Sequence, residues 1–377
     1  MSIIIKIGTY FLNFIYTFMK ILPVQEKITY ISRQMNTIPK DFEMVIKCIQ
    51  EKDKHYKHVV LARMIPNNIV GKIKYCFHIL KQMYHIATSR AVLLDTYCIP
   101  VSLLKQRKNL IVIQMWHALG AFKKFGYSIL DQEEGSSSKI AHLMKMHHNY
   151  TYVLSSSPYA ACFFAEAFHV SQEKMKIFPL PKTDLLTDED LKMKTIHRIY
   201  QRYPQLQNTE KKIIVYAPTF RKKNDDMLYQ AIIQLIQEID FNQYEFVLKL
   251  HPLTHFDIHH SNIIIDNDFT SLEFFHLADY VITDYSAIIF EAVMLDKPIY
   301  FYAFDYQQYM DKRSFYIDYQ KQLPGPIIEN ASKLMAEIMR EDVNKQSIID
   351  FKNLMIASCE RSYTEDFTCF LLHEIDQ

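Results

Sequence analysis

The sequence predicts an α/β fold in two halves, and three observations carry that expectation. The chain has 377 residues, more than one hydrophobic core ordinarily serves. Short apolar runs alternate with stretches of helical spacing, the pattern of parallel sheets covered by helices. The alternation occurs twice, interrupted by FPLPKTD (178–184), whose two prolines mark it as the linker. A hydrophobic content of 49% with 14% aromatics excludes a disordered chain.

The first element is the stretch MSIIIKIGTYFLNFIYTFMKILP. Its polar residues Ser2, Lys6, Thr9, Asn13, Thr17 and Lys20 recur every three or four positions and draw one narrow stripe down a helix. The 13 uncharged residues between Lys6 and Lys20 fall short of the roughly 20 that a membrane span needs. No basic residue precedes the run and no small-x-small site follows it, so a secretory signal is not expected. Residues 1–24 are instead expected to lie in a bilayer interface, wide apolar face down. The structural alternative is a helix packed on the protein's own core.

KITYIS (27–32) reads as a strand, DFEMVIKCIQEK (41–52) as a helix, and HVVLAR (58–63), AVLLD (91–95) and NLIVIQ (109–114) as further strands. Beyond the linker come strand 212–216, a helix around 226–240, strands 245–250 and 262–265, helix 271–278, strand 279–283, helix 286–295 and strand 298–303. The expected domains are 25–180 and 181–350, facing each other across a central cleft, with helices in 351–377 packing back on the first.

The formal net charge of +1 conceals an asymmetry. Residues 1–150 hold 21 Lys and Arg against 9 Asp and Glu, so the front is +12 and the remainder −11. A basic front suggests an anionic partner. No nucleic-acid module accompanies it, and an anionic membrane surface is the expected partner rather than nucleic acid. The six cysteines form no CxxC pair, and His147 and His148 are adjacent rather than spaced as metal ligands. Cysteine use fits a reducing compartment, and no metal site is expected.

In open α/β sheets ligands bind at the carboxyl ends of strands, and four of those ends carry distinctive chemistry. IVIQMWHALGAFKKFGYS (111–128) brings Trp116 and His117 to a strand tip, with Gly120 and Gly126 for tight turning and Lys123 and Lys124 as cations. Histidine titrates near neutrality and is the commonest general base. IIVYAPTFRKK (213–223) ends with Thr219 and Arg221, and a guanidinium can grip phosphate through two bonds. FVLKLHP (246–252) presents Lys249 and His251, with Pro252 ending the ladder. ADYVITDYSAIIFEAVMLDKPIYFY (278–302) places Thr283, Asp284, Tyr285 and Ser286 where a strand gives way to a helix N-terminus, a natural anion site, and Glu291 follows. Asp284 or Ser286 as a plain helix cap is the structural alternative.

There is no G-x-G-x-x-G, no P-loop and no D-x-D metal motif, and NDD (224–226) and DED (188–190) read as solvated. Phosphate must then be held by Arg221, Lys249, His251 and helix ends, without a tightly bound cofactor. A loosely held divalent cation is compatible with that arrangement.

Taken in order, WHALGAFKKFG, YAPTFR, KLHP, TDYSAIIFEAVMLDKPIYFY and the late LPGPI (323–327) resemble the blocks of the CDP-glycerol glycerophosphotransferase family, the teichoic acid polyol-phosphate transferases. The resemblance covers roughly residues 25–350. Ala118 stands where the family has glycine after its histidine, and Ala287 replaces a second serine, which leaves ribitol phosphate open beside glycerol phosphate.

The resemblance implies a GT-B-like pair of Rossmann-like domains, with the nucleotide mainly on the second. In that reading His117 takes the proton from the acceptor hydroxyl. His251, Arg221, Thr219 and Ser286 stabilise the diphosphate, and Glu291 contacts ribose or polyol. The donor would be CDP-glycerol or CDP-ribitol, and the acceptor a lipid-linked polyol-phosphate on the cytoplasmic face of the cell membrane, where the enzyme is peripheral. A nucleotide-sugar glycosyltransferase of the same plan, or a membrane-peripheral nucleotide-binding scaffold, are the competing readings.

Overall fold

The protein is described by a computed structural model covering residues 2–52, 54–221, 225–342 and 344–377. Lys222, Lys223 and Asn224, within two of the stretches quoted above, lie outside the described residues. The chain divides into unit 1, Met1–Asp184 with Ile356–Gln377, and unit 2, Leu185–Met355.

Unit 1 is built on six parallel strands: β1 (Lys27–Ser32), β2 (Lys57–Ala62), β3 (Ala91–Leu94), β4 (Ile111–Gln114), β5 (Tyr152–Ser155) and β6 (Met175–Ile177). Their order is β2-β1-β3-β4-β5-β6. Register places Ile31 beside Leu94 and Leu94 beside Gln114, so the tips of β1, β3 and β4 end level. Strands β1 and β3, inside the sheet, are buried along their whole length, as strands covered on both faces are. Helix α2 (Lys40–Glu51) covers the sheet with Phe42, Val45 and Ile49.

The chain returns at its far end to finish this unit. Helix Tyr363–Asp376 buries Phe367, Leu371, Leu372 and Ile375 in the same core. The Asp184 carboxylate fastens its start by accepting from the amides of Tyr363 and Thr364 at 2.8 and 2.9 Å. The expected linker is therefore mostly interior. Pro181 and Thr183 are buried in unit 1, and the crossing falls after Asp184.

Unit 2 carries β7 (Lys212–Tyr216), β8 (Tyr244–Leu248), β9 (Ile263–Ile265), β10 (Tyr280–Thr283), β11 (Ile299–Tyr302) and β12 (Ile327–Ile328). All are parallel, in the order β12-β11-β10-β7-β8-β9. Helices Asp225–Glu238 and Ala331–Met339 pack Leu228, Ile232, Leu235, Leu334 and Ile338 onto Ile214, Phe246, Ile282 and Tyr300. Both units are Rossmann-like.

At the N-terminus, α1 (Ser2–Met19) packs against α3 (Ile69–Ala87). Asn13 and Lys20 of its polar stripe turn toward the protein, while Lys6 and Thr17 stay exposed. The Asn13 amide donates to the Leu103 carbonyl at 3.2 Å and accepts from the Lys105 amide at 2.9 Å, and Lys20 donates to the Lys105 carbonyl at 2.9 Å. Buried Tyr16 donates to Gln106 at 2.6 Å. Ile3, Ile7, Tyr10, Phe11, Phe14 and Phe18 face solvent, beside exposed Ile69, Val70, Ile73 and Phe77 of α3. Among the described residues no helix is long and apolar enough to cross a membrane.

Candidate functional site

In unit 1 the site grows from the tips of β1, β3 and β4. Gln114 ends β4 with its side-chain amide donating to the Thr96 carbonyl, and its oxygen accepts from the Trp116 amide at 3.0 Å. Trp116 then takes a left-handed backbone, φ 63°, a conformation that costs a non-glycine residue of order 1–3 kcal/mol. Packing holds it there: the indole stacks on Phe125 at 4.9 Å and meets the edge of Phe168 at 5.2 Å. Gly120 is buried without a positive φ; Trp116 makes the left-handed turn, and Gly126 (φ 59°) packs so close that a Cβ there would lie 2.2 Å from the Ala167 carbonyl oxygen.

The kink presents His117, whose ring lies 4.2 Å from the indole. Its Nδ1 is 3.0 Å from the Asp95 carbonyl oxygen. A carbonyl only accepts, so the hydrogen sits on Nδ1 and the lone pair on Nε2. Gln34 Nε2 lies 3.0 Å from the same nitrogen, and the Asp95 contact requires this amide to be turned over so that its oxygen faces the Nδ1 hydrogen. Lys182 donates to the His117 carbonyl at 2.9 Å, while its own amide donates to buried Asp41 at 2.8 Å. Burial is the main cause that lowers the His117 pKa; the Asp95 carbonyl opposes it and Lys182 adds to it. The result is a neutral imidazole with an accepting Nε2, the form a general base needs. Lys123 and Lys124 are half-buried in the same loop.

Asp95 escaped the sequence reading, although the run AVLLD ends on it. Its carboxyl is 4% exposed and its Oδ1 has no hydrogen-bond partner among the described residues. Burial pushes its pKa up to about 6, with the Ser32 and Thr96 hydroxyls opposing.

In unit 2 the tips of β7, β10 and β11 are drawn together by buried polar contacts. Asp284 Oδ1 accepts from the Thr219 and Tyr285 amides at 2.8 and 2.6 Å, and the Thr283 hydroxyl donates to the Ala217 carbonyl at 2.9 Å. Tyr285 is buried and stacks on Tyr309 at 3.7 Å. The Thr219 hydroxyl oxygen has no partner among the described residues. Ser286 and Glu291 are half-buried. The helix expected at 286–295 is Ile289–Met294, six residues, and Ser286 lies just before the turn that leads into it. Asp284 caps the neighbouring strand tip instead of that helix.

Two expected phosphate cations are committed elsewhere. Arg221 is 5% exposed and donates to Asp305 Oδ2, Asp305 Oδ1, Asp284 Oδ2 and the Thr219 carbonyl, at 2.8, 3.1, 2.8 and 2.7 Å. Burial works against its charge, and Asp284 and Asp305 more than reverse that, raising its pKa. Lys249, also 5% exposed, donates to the Asp266 carboxylate, to the Asp266 carbonyl at 2.7 Å and to the Phe269 carbonyl at 2.6 Å. Asp305 and Asp266 carried no motif that sequence reading could single out.

His251 is exposed, with its ring 4.9 Å from Phe220. Its Nδ1 accepts from the Leu253 amide at 3.2 Å, which places the hydrogen on Nε2. The two histidines therefore hold opposite tautomers: His117 offers a lone pair and His251 a donor.

The sequence pattern of the family described as CDP-Glycerol:Poly(glycerophosphate) glycerophosphotransferase matches residues 14–358. The chain belongs to that family. It is a phosphotransferase of the CDP-polyol kind. A teichoic acid ribitol-phosphate primase of Bacillus spizizenii is 32% identical over 84% of this chain and 83% of its own length. A teichoic acid glycerol-phosphate primase of Bacillus subtilis is 29% identical over 89% of each chain. A solved structure of the wall teichoic acid polymerase TagF superposes with TM-score 0.73 at 19% identity, covering 100% of this chain and 98% of that one. That likeness establishes the GT-B-like fold.

Proposed function

We propose that this family member transfers glycerol phosphate from CDP-glycerol to a terminal hydroxyl of a teichoic acid-type acceptor and releases CMP. The observation that carries the residue roles is the opposite tautomers of His117 and His251. The acceptor oxygen attacks the phosphorus bearing the polyol. The bond from that phosphorus to the bridging oxygen breaks, and CMP departs. The acceptor proton passes to His117 Nε2, and His251 Nε2–H donates to a phosphate oxygen as charge builds. Phosphoryl transfer asks a protein mainly for positioning and charge stabilisation. Thr219, Ser286 and Glu291 line the donor end in this reading, and Trp116, Gly120, Lys123 and Lys124 the acceptor end.

The place of work is a membrane surface, at its cytoplasmic face. Helices α1 and α3, with their exposed apolar residues, also carry the exposed Lys6, Lys72 and Lys74, and each basic residue near an anionic leaflet contributes about 1 kcal/mol.

The deciding experiment offers the purified protein CDP-glycerol and CDP-ribitol, each with a lipid-linked acceptor, and identifies products by mass. CMP with an acceptor one polyol phosphate heavier is the expected result. Release of a nucleoside diphosphate alone refutes the reaction. The ribitol arm matters because the ribitol-phosphate primase is among the similar proteins. Sedimentation with anionic vesicles, with and without Phe11→Ser, Phe14→Ser and Phe18→Ser together, tests the surface role; unchanged binding refutes it.

A further inference from the structure

We infer that Arg221 is a positioning residue: with Asp284 and Asp305 it forms a buried lock that fixes the tips of β7, β10 and β11, leaving donor phosphate, among the described residues, to His251 and Ser286. The inference rests on reading these strand ends as the donor site, and it states which side chains there meet the donor.

Five N–H bonds are available on a guanidinium. Four are given to acceptors inside the protein, three of them to two carboxylates. The group is covered by aromatic rings, with Tyr309 centred 4.9 Å and Tyr285 5.2 Å from its carbon. The Asp284 carboxylate is consumed in turn, one oxygen by the Thr219 and Tyr285 amides and the other by Arg221. Turning Arg221 out toward a phosphate would leave two carboxylates buried without their cation, an arrangement that strongly destabilises a fold.

The electrostatics agree. One cation faces two carboxylates, so the lock is not an attractive seat for a further anion. Lys249 repeats the pattern just after β8, its three donors given to Asp266 and Phe269. Among the described residues, what these strand ends leave for a ligand is the exposed His251 Nε2–H and half-buried Ser286, the Thr219 hydroxyl being buried.

The test begins with wild-type protein. Phenylglyoxal modification is mapped by peptide mass, with and without CDP-glycerol. The lock predicts that Arg221 stays unmodified in both while exposed Arg198 and Arg202 react. Modification of Arg221 without donor, whether or not donor then protects it, overturns the proposal.

Arg221→Lys and Asp305→Asn next break the same bonds from opposite sides. Each is expected to raise the KM for CDP-polyol about tenfold or more and leave the acceptor KM within about twofold, and the double variant should be no worse than the poorer single within about twofold. A raised donor KM in Arg221→Lys with Asp305→Asn like wild type overturns the lock and makes Arg221 a direct ligand. If Asp305→Asn does not fold, the wild-type modification map decides. Failure of wild type to release CMP from either CDP-polyol defeats the functional reading, whereas the map reads the lock regardless.

Discussion

His117 and His251 show how one residue type takes two roles through its neighbours. An Asp95 carbonyl gives the first a free lone pair, and a Leu253 amide gives the second a free N–H. Replacing His117 with Ala should lower kcat about 10²–10⁴-fold, the usual worth of a positioned base, with the melting temperature retained. Because burial depresses the His117 pKa, wild-type kcat/KM should be flat at neutral and alkaline pH and fall on the acid side, with its inflection below 6.5.

His147 supplies a stability counterpart. It is 5% exposed against Trp116 and Phe168, and burial pushes its pKa down to about 3. The folded state thus binds fewer protons than the unfolded one below pH 6.5. Stability is full above that value and declines by roughly 1.4 kcal/mol per pH unit as acid is added. Urea midpoints from pH 7 to 4 should show a slope that flattens in His147→Gln. The histidines and motif residues were legible because strand tips are where α/β ligands sit. The commitments of Arg221 and Lys249 were not, since Asp305 and Asp266 lie 84 and 17 residues away in stretches with no pattern of their own, and Asp284, 63 residues from Arg221, stood in a motif without showing its partner.

At the scale of elements, α1 shows what periodicity conveys and what it omits. Spacing revealed a polar stripe, but not which way the stripe faces. Asn13, and Tyr16 beside it, find partners in the segment after β3, so that side turns inward while Tyr10, Phe11, Phe14 and Phe18 face outward. The sign of each substitution follows. Tyr16→Ala removes a fully buried ring and should cost about 3 kcal/mol or more. Phe14→Ser, on the exposed face, should stay within about 0.5 kcal/mol, both read by chemical denaturation. Strands β5, β6 and β12, of four, three and two residues, went unread. The helix expected from Ser286 begins at Ile289 because Asp284 bonds its own neighbour's amide and that of Thr219 rather than capping a helix.

For the whole molecule, two rounds of strand and helix announced two sheets. The placement of the terminal helix in unit 1 follows from its apolar face and from Asp184, which holds its first amides. Removing residues 356–377 strips Phe367, Leu371, Leu372 and Ile375 from that core. At about 1.5–3 kcal/mol for each buried side chain, the loss rivals the 5–15 kcal/mol that stabilises a typical domain. The truncated chain should keep unit 2 folded and lose protection in β1 and β3, as hydrogen exchange would report. This returning helix also orders events on the ribosome. As a nascent chain lengthens, the first sheet emerges early with α2 but must wait, its hydrophobic side only partly covered, until residues 363–376 have been made; the later-synthesised sheet can close first, and holdase chaperones have the longest claim on the earliest-made strands.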